Sequence, residues 1–150
     1  MGWSSSAKCH YKEETSLDYA KIAKADGTKV FLMGVERMEE ITGKFISNGA
    51  DPDTPMALVR WATHGCQQTL VGTLGTMAAK VKEAGFKAPA VAVVGDVVKE
   101  RAKINWFESR PLFGKKIVVT RTRQQAGVLS KKLRDLGADV IELPTIRIEE

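Results

Sequence analysis

The sequence predicts an α/β or α+β fold with at least one antiparallel strand pair, followed by a single βαβ unit. Three observations carry this prediction. Short apolar runs alternate along the chain with stretches whose apolar residues recur at helical spacing. The connection between Met56–Trp61 and Gln68–Thr73 is short enough to make those two runs antiparallel neighbours. Near the end, Lys116–Thr120 and Asp139–Leu143 flank an amphipathic stretch, the spacing of a right-handed parallel crossover.

The elements follow in order. Residues 1–15 are polar and without period. Leu17, Ala20 and Ala23, with Ile22 beside them, predict a short helix. Thr15 or Ser16 is its expected N-cap, with Asp18 in the first turn and Asp26-Gly27 as the break. Lys29–Met33 reads as a brief strand ending at Gly34. Met38, Ile41, Phe45 and Ile46 share one face of a helix over Glu36–Asn48, stopped by Gly49. Residues 50–55 are turn-rich, and Met56–Trp61 has the composition of a buried strand.

Leu74–Ala84 carries Leu74, Met77, Ala78 and Val81 on one side and meets its stop at Gly85. Ala90–Val94 is the most strand-like run in the chain, and Val97–Lys103 is expected to trail along the surface. The tail holds a strand at Lys116–Thr120, a helix over Gln124–Leu136 and a strand at Asp139–Leu143, with Gly137 ending the helix. So small a sheet is not expected to be stable alone.

The totals narrow the function. A length of 150 residues suits one domain, or one domain and a fragment of another. No run of about 18 apolar residues appears, and no secretory core precedes the first helix. The expected compartment is the cytosol. The net charge of +5 is spread without an aromatic-interleaved basic stripe, which argues against a nucleic-acid module. Cys9-His10 and His64-x-Cys66 have poor spacing for zinc, so two reduced thiols are expected and no metal. There is no Gly-rich phosphate loop, no helix-borne His pair and no nucleophile with an evident base, so no catalytic residue is assigned.

Four stretches carry a resemblance: Gly27–Val35, Pro52–Trp61, Gln68–Leu74 and Pro89–Val98, followed by Asn105-Trp106-Phe107. In their order and spacing they resemble the C-terminal half of the uroporphyrinogen-III C-methyltransferases, within the tetrapyrrole methylase family. The tail, through Pro111–Arg121 and Gly137–Pro144, resembles the opening of uroporphyrinogen-III synthases. The division is then 1–8 as a non-matching start, 9–108 as the methylase C-terminal domain, and 111–150 as the start of a synthase domain. The implied fold is α/β, a mixed sheet with flanking helices followed by one βαβ unit.

The resemblance further implies S-adenosyl-L-methionine as cofactor, uroporphyrinogen III as substrate methylated at C2 and C7 to precorrin-2, and a homodimer. It carries a cofactor role over to four positions. Met33 matches a strand-end methionine beside the cofactor, and Ala62 a small residue, often glycine, whose backbone approaches it. Ala57 and Pro89 fall close to the adenosine. Read without the family, Met33 is core packing, Ala57 and Ala62 are small core or loop residues, and Pro89 marks a strand start. Trp61 and Trp106 are expected to pack against the core or an interface. Arg60, Lys99 and Arg101 are candidates for the carboxylates of the substrate, or solvated surface.

The family's N-terminal domain, with its glycine-rich cofactor loop, has no counterpart in these residues, and Cys9-His10 stands where a Gly-His pair is expected. The chain therefore reads as an internal slice of a bifunctional enzyme, expected to be catalytically silent alone. The alternative reading is a non-catalytic dimerisation or interaction module.

Overall fold

The computed structural model describes residues 17–32, 34–121 and 123–145. The chain runs α1 (Tyr19–Lys24), β1 (Lys29–Leu32), α2 (Met38–Ser47), β2 (Pro55–Arg60), β3 (Gln68–Thr73), α3 (Leu74–Ala84) and β4 (Val91–Val94). A 3-10 turn over Asp96–Glu100 leads into α4 (Arg101–Ile104). The tail is β5 (Lys116–Val119), α5 (Arg123–Asp135) and β6 (Asp139–Glu142).

Among the described residues the strands form two sheets. The larger has the order β1-β4-β2-β3 with every pairing antiparallel, and the smaller pairs β5 with β6 in parallel. Because β4 is inserted between β1 and β2 and runs against both, those two strands point the same way. The C-terminal ends of β1 and β2, the start of β3 and the start of β4 therefore meet at one end of the sheet. Leu32 and Val59 both pair with Val91, and Arg60 pairs with Gln68.

Strand alternation divides the sheet into two unlike faces. Met56, Leu58, Ala92 and Val94 point to the helices and join Met38, Ile41, Phe45, Leu74 and Met77 in one core. Phe45 is its centre, edge-on to Tyr19 at 5.8 Å and to Phe31 at 5.3 Å. Burying each such side chain is worth about 1.5–3 kcal/mol. On the other face Ala57 and Val59 are partly or wholly covered, whereas Val30, Leu32 and Val71 are exposed.

Several expectations need correction. The N-cap of α1 is Asp18, whose carboxylate accepts from the Lys21 N–H at 3.1 Å. An aspartate one residue before the first helical turn satisfies a free donor there more directly than Thr15 or Ser16, which lie outside the described residues. Residues 97–103 do not trail out: they coil into the 3-10 turn and α4, because Val98 is buried and holds the segment down. Of the two places expected for Trp61 and Trp106, the core is excluded, since they are 41% and 60% exposed. An arginine covers each ring instead, Arg60 at 3.7 Å over Trp61 and Arg110 at 4.5 Å over Trp106. No described helix is long and apolar enough to cross a membrane.

Candidate functional site

The β2 sequence Pro55–Arg60 builds the floor of the site. Its alternation sends Met56 and Leu58 into the core and turns Ala57 and Val59 to the opposite face. Ala57 pairs with Val93 on one side and Val71 on the other. Its small side chain leaves a hollow of about 290 Å³, lined by Ala57, Val59 and Val93 from the sheet and Thr63 and Gln67 from the β2–β3 loop. Arg101, Trp106 and Phe107 close it from the segment that follows β4.

The rim is the β2–β3 loop itself. Trp61 and Thr63 hold left-handed backbones, with φ of +51° and +63°. Non-glycine residues adopt this region at a cost of about 1–2 kcal/mol each, so other contacts must offset it. They are visible. The Thr63 N–H donates to Gln67 Oε1 at 2.8 Å, and the Gln67 N–H donates back to His64 O at 2.9 Å. Thr63 Oγ1 donates to the Ala62 carbonyl at 2.6 Å. Ala62 is thus exposed at the tip of the turn, and among the described residues its N–H has no acceptor.

Glu108 anchors this arrangement. Its carboxylate accepts from Gln67 Nε2 at 2.9 Å and Thr69 Oγ1 at 2.6 Å, and forms an ion pair with Arg101. Burial pushes the carboxyl up, but the hydrogen bonds from Thr69, Gln67 and Arg101 outweigh it and hold Glu108 below the usual carboxylate range.

The loop is also clamped from the tail. Gly65 O accepts from the Gly114 N–H at 3.0 Å. A Cβ at Gly65 would lie 2.2 Å from the Asp139 nitrogen and 2.4 Å from the Ala138 carbonyl carbon, so only glycine fits this contact.

The predicted site residues are partly brought together. Ala57 lines the hollow; Ala62 does not, but sits exposed in the same loop as Thr63 and Gln67, which do. Pro89 is exposed just before β4, at the same end of the sheet, but its neighbour Ala88 lines a different hollow of about 520 Å³ shared with Val35, Glu39 and Lys82. Met33 lies outside the described residues, as do Cys9 and His10. The three basic candidates are not gathered into one patch. Lys99 pairs with Asp96 at 2.6 Å and Arg101 with Glu108. Arg60 is stacked on Trp61, with a buried Nε that has no partner among the described residues. Among the described residues no cluster of three or more His, Cys, Asp or Glu could hold a metal ion.

Thr63, Gln67 and Glu108 were missed by sequence reasoning. Only the match of Gln67 Nε2 to a carboxylate 41 residues away reveals them, and no local pattern encodes such a separation.

Comparison with known proteins bears on the same residues. No family model matches the chain. It is 38% identical over 138 residues to a uroporphyrinogen-III C-methyltransferase of Bacillus subtilis, covering 92% of this chain and 28% of that protein. It is 44% identical over 87 residues to an S-adenosyl-L-methionine-dependent uroporphyrinogen III methyltransferase of Methanosarcina barkeri, covering 58% of this chain and 34% of that protein. The chain thus spans between about a quarter and a third of the length of these curated relatives. The fold is shared with the solved structure of a cobalt precorrin-4 methyltransferase of cobalamin biosynthesis, with a TM-score of 0.50 at 20% identity, over 53% of this chain and 34% of that one.

Proposed function

We propose that this chain is the C-terminal part of an S-adenosyl-L-methionine-dependent uroporphyrinogen-III C-methyltransferase, carrying one wall of the cofactor cleft. Residues 111–150 are, on the same reading, the start of a fused uroporphyrinogen-III synthase. What supports the first part is the likeness to the two methyltransferases, together with one structural observation. The β2–β3 loop, whose Thr63 and Gln67 line the apolar hollow over Ala57, carries an exposed Ala62 whose N–H has no acceptor among the described residues.

That combination suits an adenosine. A small apolar floor accepts a flat ring, and a free backbone donor fixes its edge. Met33, Ala57, Ala62 and Pro89 are the proposed cofactor contacts: Met33 follows β1 and Ala62 follows β2 in the sequence, Ala57 lies mid-way along β2, and Pro89 precedes β4. The cofactor would supply a methyl group on a sulfonium, ready for direct displacement by a nucleophilic substrate carbon. The protein's share of such a reaction is alignment and exclusion of water rather than proton transfer. Of the three basic candidates for the substrate's carboxylates, Arg60 is favoured, because Lys99 and Arg101 already face acidic partners. The parent is read as a cytoplasmic homodimer acting on uroporphyrinogen III, en route to sirohaem or cobalamin.

Calorimetric titration with S-adenosylhomocysteine tests this. The wild-type chain is expected to bind weakly and saturably. Ala57→Leu, which fills the hollow, should abolish the heat, and Met33→Ala should weaken it. An Ala57→Leu variant that binds like wild type would remove the hollow from the cofactor site.

A second reading, a dimerisation module, is favoured by the exposed apolar residues Val30, Leu32 and Val71 on the open face of the sheet. A concentration-dependent dimer in size-exclusion chromatography, with no response to S-adenosylhomocysteine, would support it over the first.

A further inference from the structure

We propose that Glu108 and Gln67 are positioning residues that hold the β2–β3 loop in the conformation that presents Ala62 to the cofactor. The proposal deepens the methyltransferase reading and rests on it for the ligand, but not for the loop.

The geometry is a relay. Gln67 uses both ends of its amide at once. Its oxygen accepts the Thr63 N–H at 2.8 Å, and its nitrogen donates to Glu108 at 2.9 Å. An amide free to rotate would satisfy neither reliably, so the acceptor fixed at Glu108 decides which end of Gln67 faces Thr63. Thr63 in turn occupies a left-handed backbone that it would otherwise leave. Glu108 is fixed by Thr69 from β3 and by Arg101 from α4, with Asn105 Nδ2 at the outer limit of 3.5 Å. A carboxylate that gathers these charged and neutral donors makes stronger hydrogen bonds than a neutral acceptor would. The strain of the loop is thus offset from the segment leading to the C-terminal unit, 41 residues away.

The groups facing Glu108 are Gln67, Thr69, Arg101 and Asn105, of which only Arg101 is charged. The folded carboxyl titrates below its unfolded value. The hold is therefore complete above the ordinary carboxylate pKa and is lost as pH falls through the depressed folded value.

The test is amide hydrogen exchange at Thr63, measured across pH and corrected for intrinsic rates, with the core amide of Leu58 as reference. In Glu108→Gln the amide keeps one oxygen, which the Arg101 guanidinium claims, and its NH2 then faces the donor of Gln67. Thr63 should exchange roughly tenfold faster, the scale of one lost charge-assisted hydrogen bond. Leu58 should be unchanged, the acid-dependent loss of Thr63 protection should vanish, and the affinity for S-adenosylhomocysteine should fall. Gln67→Leu, which keeps the bulk and removes both hydrogen bonds, should reproduce the Thr63 effect. If Glu108→Gln fails to fold, the Glu108 half is decided in the wild-type chain: Thr63 protection must fall as pH drops through the range of the folded carboxyl, and protection flat with pH overturns it. Thr63 protection equal to wild type in both variants overturns the proposal. A wild-type chain that never responds to S-adenosylhomocysteine overturns the functional reading instead, and exchange at Thr63 still decides the relay.

Discussion

The four-stranded sheet and the βαβ unit are built from similar local patterns but differ in what they bury. The sheet places one face under α1, α2 and α3, and encloses Phe45, Met56, Leu58, Leu74 and Met77 almost completely. The βαβ unit has a single helix over two strands. Its most buried residues are Val119, Ala126, Ser130 and Ala138, while Val118, Val128, Leu136 and Ile141 stay exposed. An amphipathic pattern specifies an element, but only a second layer converts it into stability. The smaller unit leans on the larger through Gly65, Gly114 and the Phe107–Phe113 ring contact at 6.0 Å.

Substitutions can break or sharpen this contrast. The largest effect is expected from Leu58→Ala, which opens a cavity at the centre of the sheet and should cost about 3 kcal/mol in urea unfolding. Val128→Ala, on the exposed side of α5, should stay within about 0.5 kcal/mol. Equal losses at both sites would remove the contrast. Gly65→Ala comes next, since its Cβ would overlap the backbone of Ala138 and Asp139. A cost of about 1–3 kcal/mol is expected, seen as faster amide exchange through β5 and β6 with Leu58 still protected. Uniform acceleration throughout would show that the two units unfold as one.

Smaller again is Thr76→Val. Thr76 Oγ1 accepts the Thr73 N–H at 2.9 Å where α3 begins, and losing this should cost about 1 kcal/mol by thermal melting. A small effect of opposite sign is expected at Ser130. Its hydroxyl is buried without a partner among the described residues, so Ser130→Ala should raise the melting temperature slightly, by less than about 1 kcal/mol of stability.

How far the sequence carried depended on the range of the interaction. The α3 boundaries at Leu74 and Ala84 were legible because the period of Leu74 and Met77 and the left-handed Gly85, with φ of +57°, are local features. The antiparallel pairing of β2 with β3 was legible from the short loop between them. The insertion of β4 between β1 and β2 was not, because Val91 meets Leu32 and Val59 across long stretches of chain. Residues 97–103 looked like surface because Lys99, Glu100 and Arg101 are polar, yet one buried side chain, Val98, was enough to coil them. At the site, Ala57 and Ala62 came from resemblance alone, and the left-handed backbones at Trp61 and Thr63 had no glycine to announce them.

The central claim is that the end of the sheet beneath the β2–β3 loop receives S-adenosyl-L-methionine. The most direct test is an amide chemical-shift map of the chain titrated with S-adenosylhomocysteine. Saturable shifts should centre on Ala57, Ala62, Thr63 and Gln67, fading toward α5. Shifts confined to the hollow between α2 and α3, or none at millimolar ligand, would contradict it.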